Sequence, residues 1–201
     1  MVDIIHAAGW PIWPLIFASI IAVAIIFERL WALRTSTIAP DSLLLEAQKM
    51  ITKDGVKKEA IQSLQDHSML GEIFASALNN FNSPSEIIKD AIEETGRAIN
   101  HKLEKYLSTL GTIATVAPLL GLFGTIIGMV ELFSSFTSSG NDVAVFARGI
   151  SIALYNTAGG IVVAVPAMIA YRFFRTKIDT IIVEMEQQAI KLVEIINGNR
   201  K

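Results

Sequence analysis

The sequence predicts an all-α, polytopic membrane protein with three transmembrane helices and long helices extending into the cytoplasm. Three observations predict it. Mean hydropathy is +0.48 although 18% of the residues are charged. The apolar residues collect in three long runs, each near the ~20 residues that a helix needs to cross a hydrocarbon core of ~30 Å. Outside those runs, apolar residues recur in steps of three and four, the period of an amphipathic helix. The formal net charge of -2 argues against a nucleic-acid partner, and the absence of Cys removes disulfide and thiol chemistry.

Residues 1–9 are expected to be an outer N-terminal segment, followed by the first transmembrane helix at 10–33. No charge falls between Pro11 and Phe27. Trp10, Trp13 and Trp31 suit the two bilayer interfaces, and Pro11 and Pro14 sit in the first turns, where a missing N–H costs least. A cleaved signal peptide is the competing expectation. It is disfavoured because no Lys or Arg precedes the apolar run and Glu28-Arg29 stands where small residues would mark cleavage.

Residues 34–109 read as a cytoplasmic helical region. Amphipathic helices are expected from Ser42 toward Lys53, from Val56 toward Gln65, and from Met69 to Phe81. Ser83-Pro84-Ser85-Glu86 is a helix start with Ser83 as cap and Pro84 in the first position. From there Ile88, Ile92, Thr95, Ile99, Leu103 and Tyr106 form one face. No strong breaker follows, so this helix is expected to run directly into the second transmembrane helix at 110–133. An outer loop at 134–142 and a third transmembrane helix at 143–174 come next. Ile178, Ile182, Met185, Ala189, Leu192 and Ile196 then predict a C-terminal cytoplasmic helix within 175–201, closed by Asn197-Gly198. Nearly all Lys and Arg lie in the long loop and the tail, which orients the N-terminus outside and the C-terminus inside.

The second run carries the most information. Gly111, Thr115, Pro118, Gly121, Thr125 and Gly128 fall on one stripe, and in the third run so do Gly149, Ala153, Thr157, Gly160, Ala164 and Ala167. Small residues at this spacing let membrane helices approach closely, which assigns Gly124, Gly128 and Gly160 to helix packing. Thr125 and Thr157 sit near mid-span. A Thr there either donates back to the carbonyl one turn before, with no further role, or lines a polar path. Pro118 and Gly121 would shape the same face, and Glu131 is a weaker candidate at its outer mouth. Asn156 suits a polar lining or an interhelical hydrogen bond. No ionisable residue lies deep in any span. If ions cross here, the titrating carboxylate belongs mainly to another chain. His6, His67 and His101 are far apart, and no phosphate loop, metal-ligand cluster or nucleophile–base set is present, so neither an enzyme nor a cofactor is expected.

With the spans placed, several blocks are recognisable. They are Phe27-Glu-Arg-Leu-Trp-Ala-Leu33, Ala117-Pro-Leu-Leu-Gly-Leu-Phe-Gly-Thr-Ile-Ile-Gly-Met129, Gly149-Ile-Ser-Ile-Ala-Leu-Tyr-Asn-Thr-Ala158 and Ala164-Val-Pro-Ala-Met-Ile-Ala-Tyr171. Across nearly its whole length the chain resembles the MotA/TolQ/ExbB proton-channel family, and its three spans look like ExbB, with TolQ next. The resemblance implies a bacterial inner-membrane protein with a periplasmic N-terminus. It implies a homo-oligomeric ring, usually a pentamer, embedded in membrane lipid. Second and third spans would line a pore around the single helices of an ExbD- or TolR-like partner, which supplies an aspartate. Protons would be the coupling ion, and a TonB- or TolA-like transducer would carry force outward. The family's pore threonines match Thr125 and Thr157. One departure stands out: many relatives carry Glu where this chain has Ile152. A TolQ-like role in envelope integrity and division is one alternative, and a non-conducting membrane scaffold is another.

Overall fold

The computed structural model describes residues 7–40, 42–51, 58–138 and 143–197, and among them the only regular structure is helical. In chain order the helices are α1 (Ile12–Ala32), α2 (Thr35–Ile38), α3 (Leu43–Lys49), α4 (Lys58–His67), α5 (Met69–Asn79), α6 (Ser85–Leu103), α7 (Leu107–Ser138) and α8 (Val143–Ile196). Three stretches are long and apolar enough to cross a membrane: Ile12–Ala32, Leu107–Ser134 and Phe146–Ile196. The chain divides into an apolar unit of residues 1–29 and 106–173 and a second unit of residues 30–105 and 174–201.

In the apolar unit, α1 turns its bulky side chains outward. Trp13, Phe17, Ile20 and Phe27 are each more than 60% exposed, the pattern of a helix whose outer face meets lipid. Its inner face places Leu15 against Ala117 and Ala164, flanked by Leu120 and Val163. The Trp10 ring meets Phe123 edge-on at 6.1 Å. Gly9 has φ +72, so the chain turns sharply just before α1, a conformation open to Gly at little cost. Near the other end of α1, Arg29 is buried, paired with Glu28, and lies 5.7 Å over the Tyr106 ring.

The second unit is a helical cluster around Leu43, Ala47, Leu64, Leu70, Phe74, Leu78, Ile88, Ile99 and Leu103. The end of α8 contributes Ile178, Ile181, Met185, Ala189 and Leu192. Their spacing of three and four keeps one face of a helix inside. Ser68 caps α5 by accepting from Gly71 N at 3.0 Å. Lys102 pairs with Glu72 at 2.9 Å and Arg175 with Glu104 at 2.9 Å; exposed pairs of this kind contribute little to stability.

Two sequence expectations are corrected. The helix beginning near Ser83 does not run into α7. It ends at Leu103, and Tyr106 adopts φ 64 before α7 starts at Leu107. No Gly or Pro announces the break, because an aromatic residue occupies the left-handed position, at a cost on the order of 1–2 kcal/mol. The Arg29 guanidinium over its ring and the bond from Leu110 N to its carbonyl at 3.0 Å hold it there. The cap of α6 is also one residue later than expected. Pro84, at φ -52 and ψ 147, takes that place, and its carbonyl accepts from Ile87 N at 3.0 Å. The expected turn at Asp54-Gly55 and the closure at Gly198 lie outside the described residues.

Two glycines of the second unit make opposite predictions. A Cβ on Gly71 would overlap the backbone of Leu64, whereas one on Gly96 would meet nothing within 4 Å. Gly71→Ala should therefore destabilise the protein by about 1–3 kcal/mol. Gly96→Ala should stabilise it by up to about 1 kcal/mol through helix propensity. Thermal unfolding in detergent, followed by far-UV circular dichroism, should show Tm moving down for the first and up for the second.

Candidate functional site

In a bilayer the hydrophobic effect does not draw helices together, so their association depends on close backbone packing and interhelical hydrogen bonds. The apolar unit meets that condition along α7 and α8. A Cβ on Gly121 would stand 2.8 Å from the Asn156 carbonyl oxygen and 3.3 Å from the Cα atoms of Thr157 and Gly160. One on Gly128 would stand 2.7 Å from Gly149 O, and one on Gly160 2.7 Å from Ala117 O. On Gly124 it would overlap the Asn156 side chain. The two backbones are in contact, and only residues without a Cβ allow it at these points. At the far end Tyr171 lies over Gly111, whose Cβ would be 3.1 Å from its ring.

The single small-residue stripe expected from the sequence resolves into two neighbouring ones. Ala114, Ala117, Gly121, Gly124 and Gly128 of α7 are buried in the seam, opposite Gly149, Asn156, Gly160 and Ala164 of α8. Beside the seam runs a more open flank of Thr115, Pro118, Leu122, Thr125 and Met129. The contacts with α1 and the turn before it, made through Leu120 and Phe123, lie on the other side of α7. The same holds for α8: Gly159 and Ile152 face α1 and the turn before it, and Thr157 stands on the opposite side of the seam. Thr125 and Thr157 therefore flank the seam on one common side, each half-buried.

Their chemistry is limited by their own helices. Thr125 Oγ1 donates to Leu122 O at 2.6 Å, and Thr157 Oγ1 donates to Ala153 O at 3.1 Å. Each hydroxyl proton is committed to the backbone, and each oxygen keeps lone pairs that accept. Such a flank suits a water or a protonated acid passing along it; it does not titrate. Pro118 is exposed on the flank. Gly121, expected to shape that face, is instead in the seam, where it lets the backbones meet. Glu131 is exposed but stands about 120° around α7 from Thr125, six residues on, so the helix does not bring it onto the flank. Gly124, Gly128 and Gly160 are all in the seam.

Asn156 carries more than its sequence position suggested. It is fully buried, and its Nδ2 donates to Ala8 O and to Ile152 O, both at 2.8 Å. A lone amide in an apolar run had to find partners. The second partner is local, but the first is 148 positions away and could not be read from spacing. Ile152 is 2% exposed and sits beside Gly9, away from the flank. Among the described residues no cluster of three or more His, Asp or Glu could hold a metal ion.

The seam predicts an asymmetry between glycines of the same unit. Gly128→Ala meets backbone atoms that cannot yield and should cost about 1–3 kcal/mol. Gly159→Ala meets only side-chain carbons at 3.7 Å and should be accommodated. The fraction of protein that stays folded and monodisperse on heating in detergent should fall for the first and hold for the second.

A profile of the MotA/TolQ/ExbB proton channel family matches residues 65–187. Biopolymer transport protein exbB1 of Vibrio cholerae is 28% identical, the match covering 80% of this chain and 72% of that protein. An ExbB-like protein of Synechocystis is 32% identical over 85% of this chain and 82% of its own length. The Tol-Pal system protein TolQ of Pseudomonas aeruginosa is 28% identical over 84% and 78%. The family match spans the seam, the flank with both threonines and about half of the second unit. The chain belongs to the MotA/TolQ/ExbB proton channel family, as a membrane subunit of the ExbB/TolQ type.

Proposed function

We propose that the chain is the channel-wall subunit of a proton-driven motor that energises outer-membrane transport through a TonB-like protein. Identical subunits, five in the arrangement usual for the family, form a ring in the bacterial inner membrane. The N-terminus lies in the periplasm and the C-terminus in the cytoplasm. The flank carrying Thr125, Thr157 and Pro118 faces the axis of the ring. A single-span ExbD- or TolR-like partner occupies that axis and supplies the aspartate that is protonated and released. Each proton moving inward contributes ~2.3 kcal/mol per 100 mV of membrane potential. The chain itself performs no catalytic step and holds no cofactor.

One observation supports this most. Two mid-span hydroxyls flank the seam on the same side, both retain acceptor capacity, and among the described residues no carboxylate shares their flank. A wall with acceptors and no acid needs the acid from elsewhere. A Tol-type role in envelope integrity is the second candidate, favoured by equal identity, 28%, to V. cholerae exbB1 and P. aeruginosa TolQ. A non-conducting scaffold is the third.

Replacing both hydroxyls separates channel from scaffold. Thr125→Ala with Thr157→Ala should leave co-purification with the single-span partner intact and reduce proton flux in proteoliposomes at least about ten-fold, a barrier change near 1.4 kcal/mol. The double serine variant should retain flux. Undiminished flux in the double alanine variant would contradict the proposal.

A further inference from the structure

We infer that Asn156 is a positioning residue: it ties the segment before α1 to the middle of α8 and so fixes the rotation at which α8 displays Thr157. The amide joins three elements. Nδ2 donates to Ala8 O, and Ala8 is itself fully buried. The same nitrogen donates to Ile152 O, one turn earlier in α8. The rest of the side chain fills the notch left by Gly124 of α7, where even one added carbon would overlap it. Gly9, at φ +72, turns the chain so that Ala8 reaches α8, and Ile152 packs beside that turn.

The geometry leaves the amide no alternative orientation. Both atoms facing Nδ2 are carbonyl oxygens, so flipping the group would set acceptor against acceptor. Oδ1 is buried without a hydrogen-bond partner among the described residues. A buried amide that leaves one acceptor unmet is costly in an apolar setting, and alanine here would avoid that cost. What the amide achieves in return is registry. Rotating α8 about its axis would pull Nδ2 from Ala8 O and drive the side chain out of the Gly124 notch. Thr157 is the adjacent residue, about 100° around the same helix, so its angle to the flank is set by the same lock. The turn before α1 thereby belongs to the structure that aims Thr157. The functional half of this inference rests on the channel proposal; the structural half does not.

The test uses the absence of native Cys. Ala8→Cys provides a thiol that the lock keeps buried, read by its rate of reaction with a small water-soluble maleimide in native membranes. Added to Asn156→Ala, the labelling rate should rise about ten-fold, the shift expected from losing one ordinary hydrogen bond. The double change Gly124→Ala with Asn156→Ala returns volume to the notch without the donor. It should label as fast as Asn156→Ala alone and show the same loss of proton flux. Asn156→Leu, which fills the space without a donor, serves if the alanine variant does not accumulate. Unchanged labelling in the variants lacking the amide overturns the inference. So does recovery of both protection and flux in the double variant, since packing alone would then suffice. Labelling that rises while flux holds overturns the positioning role, with Thr157→Ala in parallel showing whether the channel proposal survives.

Discussion

Backbone contact between α7 and α8 is the constraint on which the apolar unit depends. Side chains that ordinarily separate two helices are missing at Gly121, Gly128 and Gly160, where backbone atoms of one helix lie close to the place a Cβ of the other would take, and at Gly124, whose notch the Asn156 side chain fills. In lipid, where apolar surface gains nothing by being covered, such contact together with a few hydrogen bonds is what holds helices in register. Everything beside the seam inherits its geometry. Leu15 of α1 settles against Ala117 and Ala164 on one side, and the two threonines remain on the other.

In the proposed channel, that division would let an apolar protein offer a polar path without carrying a charge into the membrane. A buried ionised group would cost several kcal/mol, whereas a Thr bonded to its own backbone costs little and still accepts. Thr125 and Thr157 do both. The residues with charge are displaced from the flank: Glu131 lies elsewhere on α7, and Arg29 is held by Glu28 and the Tyr106 ring. Ile152 packs beside Gly9 instead of facing the flank. In the proposed ring the acid is then wholly the partner's. Asn156, next in sequence to Thr157, is turned inward to Ala8 O and Ile152 O.

Helix type and the apolar character of the spans were legible in the sequence because hydropathy and a period of 3.6 act locally. The burial of Ile88, Ile99, Ile178 and Leu192 followed from the same pattern. Small-residue spacing identified the seam, but sequence alone could not divide the seam from its flank, since Gly121 and Thr125 are only about 40° apart around a helix. Only the partner helix decides which of them is covered. The break at Tyr106 was hidden because its cause, a left-handed aromatic residue under a guanidinium, involves residues 77 positions apart. Asn156 was visible as an anomaly, yet its partner Ala8 was not.

In the proposed assembly the flank beside the seam meets water. With no native Cys, single cysteines along α7 test it directly, each in membranes that also contain the single-span partner, against a small aqueous thiol reagent. Reactivity at positions 122, 125 and 129 with protection at 119, 126 and 130 is the predicted result. The opposite phase, with 125 silent and 126 reactive, would contradict it.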